Sequence, residues 1–328
     1  MTDKIILTDK WSYRGLRTVI LGNSELRFIF LPDLGGILWK IQRKKDDLNI
    51  LYSYKDPSLY GKMISSYFNR DPIHHFFIGG WFEAFPNAGF AYSDEAGQAF
   101  DLHGETPYSP WDYKISDNSI TMAVDISAVP LRLKKKITLS NKHLQMDYEI
   151  TNFGEVDLPF SWLQHPCLDL TLFDNSTIEL EAESLTVDDN FRSNFRKFKY
   201  GYRGEWPNVM KQNGEMVNLS NINYVHNENF VETVYIKVSK GYYRIINLKN
   251  HIELTIKFNE KIFPYIWYWI ANGGGGYPWY GTAKVFSLEI STSIPATGLR
   301  DQIKNGTARY IPSESKITTQ FYVTIASL

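Results

Sequence analysis

Cysteine is almost absent from this chain. Cys167 is the only one in 328 residues, which rules out an intrachain disulfide and a cysteine-based zinc site. An excess of either charge is also missing. The 35 Lys plus Arg and 36 Asp plus Glu leave a formal net charge of -1, so nothing electrostatic points to nucleic acid or an anionic membrane as partner. No apolar run approaches a membrane span, and the opening MTDKIILTDKWSYRG lacks the apolar core of a secretory signal. A soluble cytoplasmic protein is therefore expected, and the sequons at Asn175, Asn218 and Asn305 carry no expectation of glycosylation. Long amphipathic helices are lacking, which argues against Rossmann and (β/α)-barrel architectures. A repeat period is lacking too, which argues against propellers and solenoids.

What the chain does have is alternation. Leu16 to Leu21 and Glu25 to Leu31 read as strands joined at the turn-prone Gly22-Asn23, and Ile37 to Arg43 as a third. Ser119 to Ser127, Leu131 to Leu139 and His143 to Thr151 are three further period-two segments, with Asn141-Lys142 as a hairpin centre. The Lys134-Lys135-Lys136 run reads as a solvated strand end. Leu158 to His165 is an apolar strand delivering a histidine at its end, and Ser176 to Glu183 follows. Val231 to Val238, Tyr242 to Leu248, Ile252 to Phe258, Ala283 to Glu289 and Ile317 to Ile325 complete the pattern, with a helical turn or two at Leu299 to Lys304. Residues 44 to 75 and 184 to 230 lack regular periodicity and read as an irregular excursion and long loops. More than a dozen short strands at this spacing predict an all-β fold, a large antiparallel β-sandwich forming one domain over residues 1–328.

Chemistry-bearing residues gather between Gly79 and Trp111. GGWFEAFPNAG places Trp81, Phe82 and Phe85 among turn-forming glycines and a proline, and DLHGETPYSPW follows with His103 and Glu105. Rings interleaved with a few titratable groups have the composition of a concave ligand site. Trp81, Trp111, Trp267 and Trp279 are candidates to stack on a ligand, Trp279 above all because it sits in the glycine-rich 273–281 stretch, expected to be exposed. Glu83 and Glu105 are candidates to accept hydrogen bonds from ligand hydroxyls. Core packing is the competing role for each tryptophan in a chain that is 15% aromatic.

Taken together, the motifs resemble the galactose mutarotase-like superfamily, which includes the aldose 1-epimerases. The resemblance runs from Pro32-Asp33-Leu34-Gly35-Gly36-Ile37 through Gly79-Gly80-Trp81, Pro86-Asn87-Ala88-Gly89 and His103-Gly104-Glu105. It continues through Asn152-Phe153-Gly154, Trp162 and His165-Pro166 to Leu288-Glu289 and the Pro312-to-Ser315 tail. It implies the family's large β-supersandwich, sugar bound on a concave face, and catalysis by His103, His165 and Glu289. In that scheme Glu289 takes the proton of the anomeric hydroxyl and His165 protonates the ring oxygen. His103 is a second donor, and no metal or other cofactor is required. The chain has Leu288-Glu289-Ile290 where the family has Leu-Glu-Pro, and Arg70 is the nearest counterpart of the arginine many sugar epimerases carry. The implied ligand is a small carbohydrate, and a homodimer stays open.

Three alternatives remain. His103, Glu105, His165 and Glu289 would make the two-histidine, two-carboxylate set of a metal-dependent isomerase if they converged. A phosphosugar epimerase is less favoured, because the site segments hold few Arg or Lys residues. A non-catalytic carbohydrate-binding protein would need the rings but not two histidines facing a carboxylate. Convergence of the three side chains on one pocket decides between the enzyme and the binding module.

Overall fold

The computed structural model describes residues 4–54, 77–93, 98–225, 229–274, 276–277 and 279–328. Arg70 and the adjacent histidines 74 and 75 lie outside these residues. Among those described, nineteen strands join into one sheet system, and every ladder between strands in it is antiparallel. The fold is a large antiparallel β-sandwich.

Two branches of this sheet system share one strand. Phe230–Asn247 runs 18 residues, and its first half pairs with Tyr265–Gly273 while its second half pairs with Ile252–Lys257. The Tyr265–Gly273 side continues through Ala283–Ser291, Leu163–Pro166, Trp81–Ala84 and Ile37–Arg43 to the N-terminal hairpins. The Ile252–Lys257 side continues through Lys316–Ala326, His143–Asn152, Leu131–Ser140, Ser119–Asp125 and Asp112–Ser116. The outer strands alternate strictly: every second residue of Leu131–Ser140 is buried, as expected of a sheet with one face on a core. The strands nearest the site are buried on both faces, including all of Trp81–Ala84 and Leu163–Pro166. They read as apolar runs rather than alternations.

Several expected boundaries moved. The two strands anticipated at Val231 to Leu248 are one long strand, carried past its bulges by the Thr177–Val187 partner. The strand anticipated at Leu158 to His165 is broken at Ser161-Trp162, where the backbone turns to accept and donate bonds with Pro86 and Thr292. Ile6–Tyr13 and Asp112–Ser116 were not anticipated. The basic run is not a solvated end either. Lys135 occupies an inward position between Leu133 and Ile137 and is 2% exposed.

That buried lysine is explained by its partner. Its Nζ lies 2.9 Å from both carboxylate oxygens of Glu83 and 2.9 Å from the Gly36 carbonyl, and it sits over the Trp111 ring. Tyr148 donates to the same carboxylate at 2.5 Å. Every charge in the cluster is matched, which is the condition under which a buried ion pair is tolerated.

Candidate active site

Five neighbouring strands place side chains on one concave face. Trp81–Ala84 presents Phe82, and the paired register His165↔Phe82 sets the imidazole beside it, stacked at 4.5 Å between centroids. Leu163–Pro166 in turn pairs with Ala283–Ser291, where Gln164 opposes Ile290 and Leu163 opposes Ser291. One step further along that register, Glu289 faces His165: its Oε1 is 3.2 Å from His165 Nε2. Glu289 opposes Trp267 on the next strand, Trp269 follows two residues later on the same side, and Val231 and Thr233 come from the fifth strand. Period-two geometry alone aligns all of these on one face.

His103 arrives by a different route, from the loop that closes over Phe85. Its backbone is left-handed, with φ 65°, which costs a non-glycine residue on the order of 1 kcal/mol. The conformation is held by its N–H donating to the Gly89 carbonyl at 2.8 Å. Gly104, next in line, has φ 74°, and any Cβ there would meet the Phe85 oxygen at 2.3 Å. The loop can dock this closely only with glycine at that position. The His103 ring then stands 5.6 Å from His165 and 5.9 Å from Phe82.

His103, His165 and Glu289 thus line one cavity of about 370 Å³. The rest of its wall is largely aromatic: Phe77, Trp267, Trp269 and Trp279 inside, Phe90, Phe191 and Tyr277 towards the mouth. A larger but open depression of about 1060 Å³ lies over the solvent face of the other branch, lined by residues such as Lys134, Gln145, Glu149 and Tyr322. No histidine lies among its lining residues, and it offers no pairing of an acid with a base across a closed wall.

The electrostatics of the pair follow from burial. Glu289 is 3% exposed, and loss of solvent pushes its carboxyl well above the usual range. Burial, and secondarily the neighbouring His103 ring, hold His165 well below the usual imidazole range. Both shifts favour neutral partners, so at rest the pair shares one proton, held on the carboxyl. Cys167 Sγ lies 3.3 Å from His165 Nδ1. Burial first and Glu289 second push its thiol pKa up, so it is a neutral hydrogen-bond partner to the imidazole rather than a nucleophile. With the carboxyl O–H turned to Nε2, Nδ1 carries the hydrogen and Sγ accepts it.

The other sequence candidates are distributed unevenly. Trp267 and Trp279 line the cavity. Trp279, expected to be exposed, is only 6% so, packed edge-on against Phe77 at 5.1 Å and near Trp269 at 5.9 Å. Trp81 and Glu83 do not line it: on the Trp81–Ala84 strand they point opposite to Phe82. Trp81 Nε1 donates to Gln164, and Glu83 pairs with Lys135. Trp111 is core, its Nε1 donating to the Thr106 carbonyl. Glu105 turns to accept from the Ser127 and Ala128 amides, both at 2.8 Å. The two-histidine, two-carboxylate set therefore does not assemble, and among the described residues no group of three or more His, Cys, Asp or Glu could hold a metal ion.

Sequence reasoning missed Asp188 altogether. It is buried and lines the cavity, its carboxylate fixed by Tyr235 Oη at 2.7 Å, the Phe191 amide at 3.0 Å and Arg196 at 3.3 Å. Arg196 reaches on to Glu232 at 2.6 Å, so this buried cluster pins the irregular 188–198 segment as one cavity wall. Nothing in the poorly periodic sequence there signals it. Trp269 could have been found, since it repeats Trp267 at the strand period.

No protein-family model matches the chain, and no curated protein matches it in sequence. Solved structures do match in shape. A galactose mutarotase-like protein from Clostridium acetobutylicum superposes with a TM-score of 0.67 at 12% identity, over 100% of this chain and 99% of that one. A Synechocystis sp. PCC 6803 protein gives 0.66 at 16% identity, over 100% and 98%. A candidate aldose 1-epimerase from Escherichia coli K12 gives 0.64 at 15% identity, over 93% and 97%. At these identities the likeness is one of fold, and function has to be argued from the site.

Proposed function

We propose that this protein is an aldose 1-epimerase, interconverting the α and β anomers of a sugar by general acid–base catalysis. The observation that carries the reading is the 3.2 Å contact of Glu289 with His165, with His103 beside it, in an aromatic cavity of sugar-compatible size. The neutral pair needs only to move its shared proton across that gap to become carboxylate and imidazolium, without exchange with solvent. Glu289 then takes the proton from the O1 hydroxyl as the C1–O5 bond breaks. The electron pair of that bond goes to O5, which His165 protonates. His103 donates to the same oxygen while charge develops there. Rotation about C1–C2 and reversal of the proton transfers give the other anomer.

A positioned acid or base of this kind contributes about 10²–10⁴-fold each, and mutarotation asks for no redox step. Trp267, Trp269 and Trp279 supply apolar faces against the sugar C–H bonds. The test is exchange NMR or polarimetry on freshly dissolved single anomers, with wild type and Glu289→Gln side by side. Acceleration over the buffer rate by wild type and its loss in the variant are expected. A wild type that binds sugars but leaves the anomer exchange at the buffer rate would make the protein a carbohydrate-binding module instead.

A further inference from the structure

The mouth of the cavity holds groups that the acid–base chemistry does not use. Phe90, Phe191 and Tyr277 line the cavity and yet are 41%, 46% and 46% exposed. They come from three segments far apart in sequence. Single exposed rings are ordinary on a protein surface, but several gathered at the opening of one pocket mark a place where something apolar or ring-shaped rests. Two of them are pinned by their backbones. Phe191 donates its N–H to Asp188 at 3.0 Å and accepts from Arg196 at 2.9 Å. Phe90 donates to the Ala296 carbonyl at 2.8 Å and accepts from Asn87 at 3.0 Å. The backbone beneath these rings therefore loses little freedom when a ligand stacks on them.

The charge of the lining narrows the ligand. Among the described lining residues are two buried acidic side chains, Asp188 and Glu289, and no Lys or Arg. Arg196 is turned to Asp188 and Glu232. A phosphate or carboxylate on the sugar would find no cation in the lining to pair with.

We propose, building on the epimerase reading, that the substrate is the reducing end of a neutral oligosaccharide. The reducing unit sits over His103, His165 and Glu289, because mutarotation needs a free O1. The chain therefore leaves through a non-anomeric hydroxyl, and the next sugar unit stacks on Phe90, Phe191 and Tyr277 at the rim. Floor and rim divide the work: the floor carries turnover and the rim selects length.

The experiment compares glucose and galactose with maltose, cellobiose and lactose, and with glucose 6-phosphate and glucuronate. Anomer exchange is followed by NMR in wild type, Phe90→Ala, Phe191→Ala and Tyr277→Ala, and binding by saturation-transfer NMR in Glu289→Gln. At least one disaccharide is expected to exceed its monosaccharides about tenfold or more in kcat/KM, with the acidic sugars weakest. Each rim variant should lose about three- to tenfold on that disaccharide, as expected for a stacked ring, and stay within twofold on monosaccharides. Monosaccharides equal to or better than every disaccharide, or rim variants that lose both alike, would overturn the inference and leave the epimerase reading intact. Rim-dependent disaccharide binding with no exchange on any sugar would instead uphold the rim as the stacking site for a neutral oligosaccharide and remove the epimerase reading.

Discussion

Replacing Glu289 by glutamine tests the acid–base pair with little disturbance to packing. The side chain is 3% exposed and its carboxyl is held protonated by burial. The amide that replaces it is neutral, of the same shape, and can still donate to His165 Nε2. The hydrogen bond itself is exchanged for a similar one and should change stability by less than about 1 kcal/mol. At pH 5.5 the variant also escapes the roughly 1.4 kcal/mol that wild type loses by protonating a carboxyl one unit above its unfolded pKa of 4.5. Catalysis should fall about 10²–10⁴-fold in kcat, since an amide cannot take the O1 proton. At 1.36 kcal/mol per decade that is about 3–5 kcal/mol of barrier.

The same substitution has a signature in stability against pH. Between the unfolded pKa values of 4.5 for Glu and 6.5 for His, the unfolded pair carries one proton, on His165. The native pair also carries one, on Glu289. No proton is exchanged on unfolding, and the pair adds no slope in that window. Above 6.5 the unfolded histidine loses its proton while the native pair keeps one, so this contribution declines as pH rises until the native pair deprotonates. Below 4.5 the unfolded pair holds two protons and the native pair one, so it declines again as pH falls. Glu289→Gln removes the alkaline decline and leaves an acid decline that begins near 6.5, from His165 alone. Chemical denaturation at pH 5.5 and 8.5, with exchange NMR for turnover, reads both effects. Turnover within tenfold of wild type, or an alkaline slope unchanged in the variant, would refute the assigned pair.

Glu83→Gln should cost about 3–5 kcal/mol in denaturant unfolding by leaving Lys135 charged and buried, and the double variant with Lys135→Met should recover much of it. Because Glu83 faces away from the cavity, whatever Glu83→Gln protein folds should keep kcat within about threefold. Cys167→Ala removes the partner of His165 Nδ1, and kcat should drop about fivefold with KM unchanged, matching one hydrogen bond. Arg196→Met strands two buried carboxylates, Asp188 and Glu232. Hydrogen exchange should then show the 188–198 backbone opening before the rest of the sheet.

Much of the fold was legible because strand alternation is written into neighbouring residues: Leu131–Ser140 and His143–Asn152 could be bounded from their own periodicity. The strands beneath the site were less legible, since burial on both faces erases alternation. Trp81 and Glu83 looked like site residues for that reason, when Phe82 between them is the one that faces the cavity. The resemblance named His103, His165 and Glu289, but their proximity belongs to the sheet order. A strand near residue 83, one near 165 and one near 289 must lie side by side before the imidazole and the carboxylate can meet. No local pattern encodes which distant strands become neighbours, because that choice is made by the hydrogen-bonded register and the shared core. Asp188, the rim rings and the partner that makes Lys135 tolerable inside the protein likewise depend on contacts many residues apart. Residue type was set by the sequence alone, and the facing of one group to another by the folded chain.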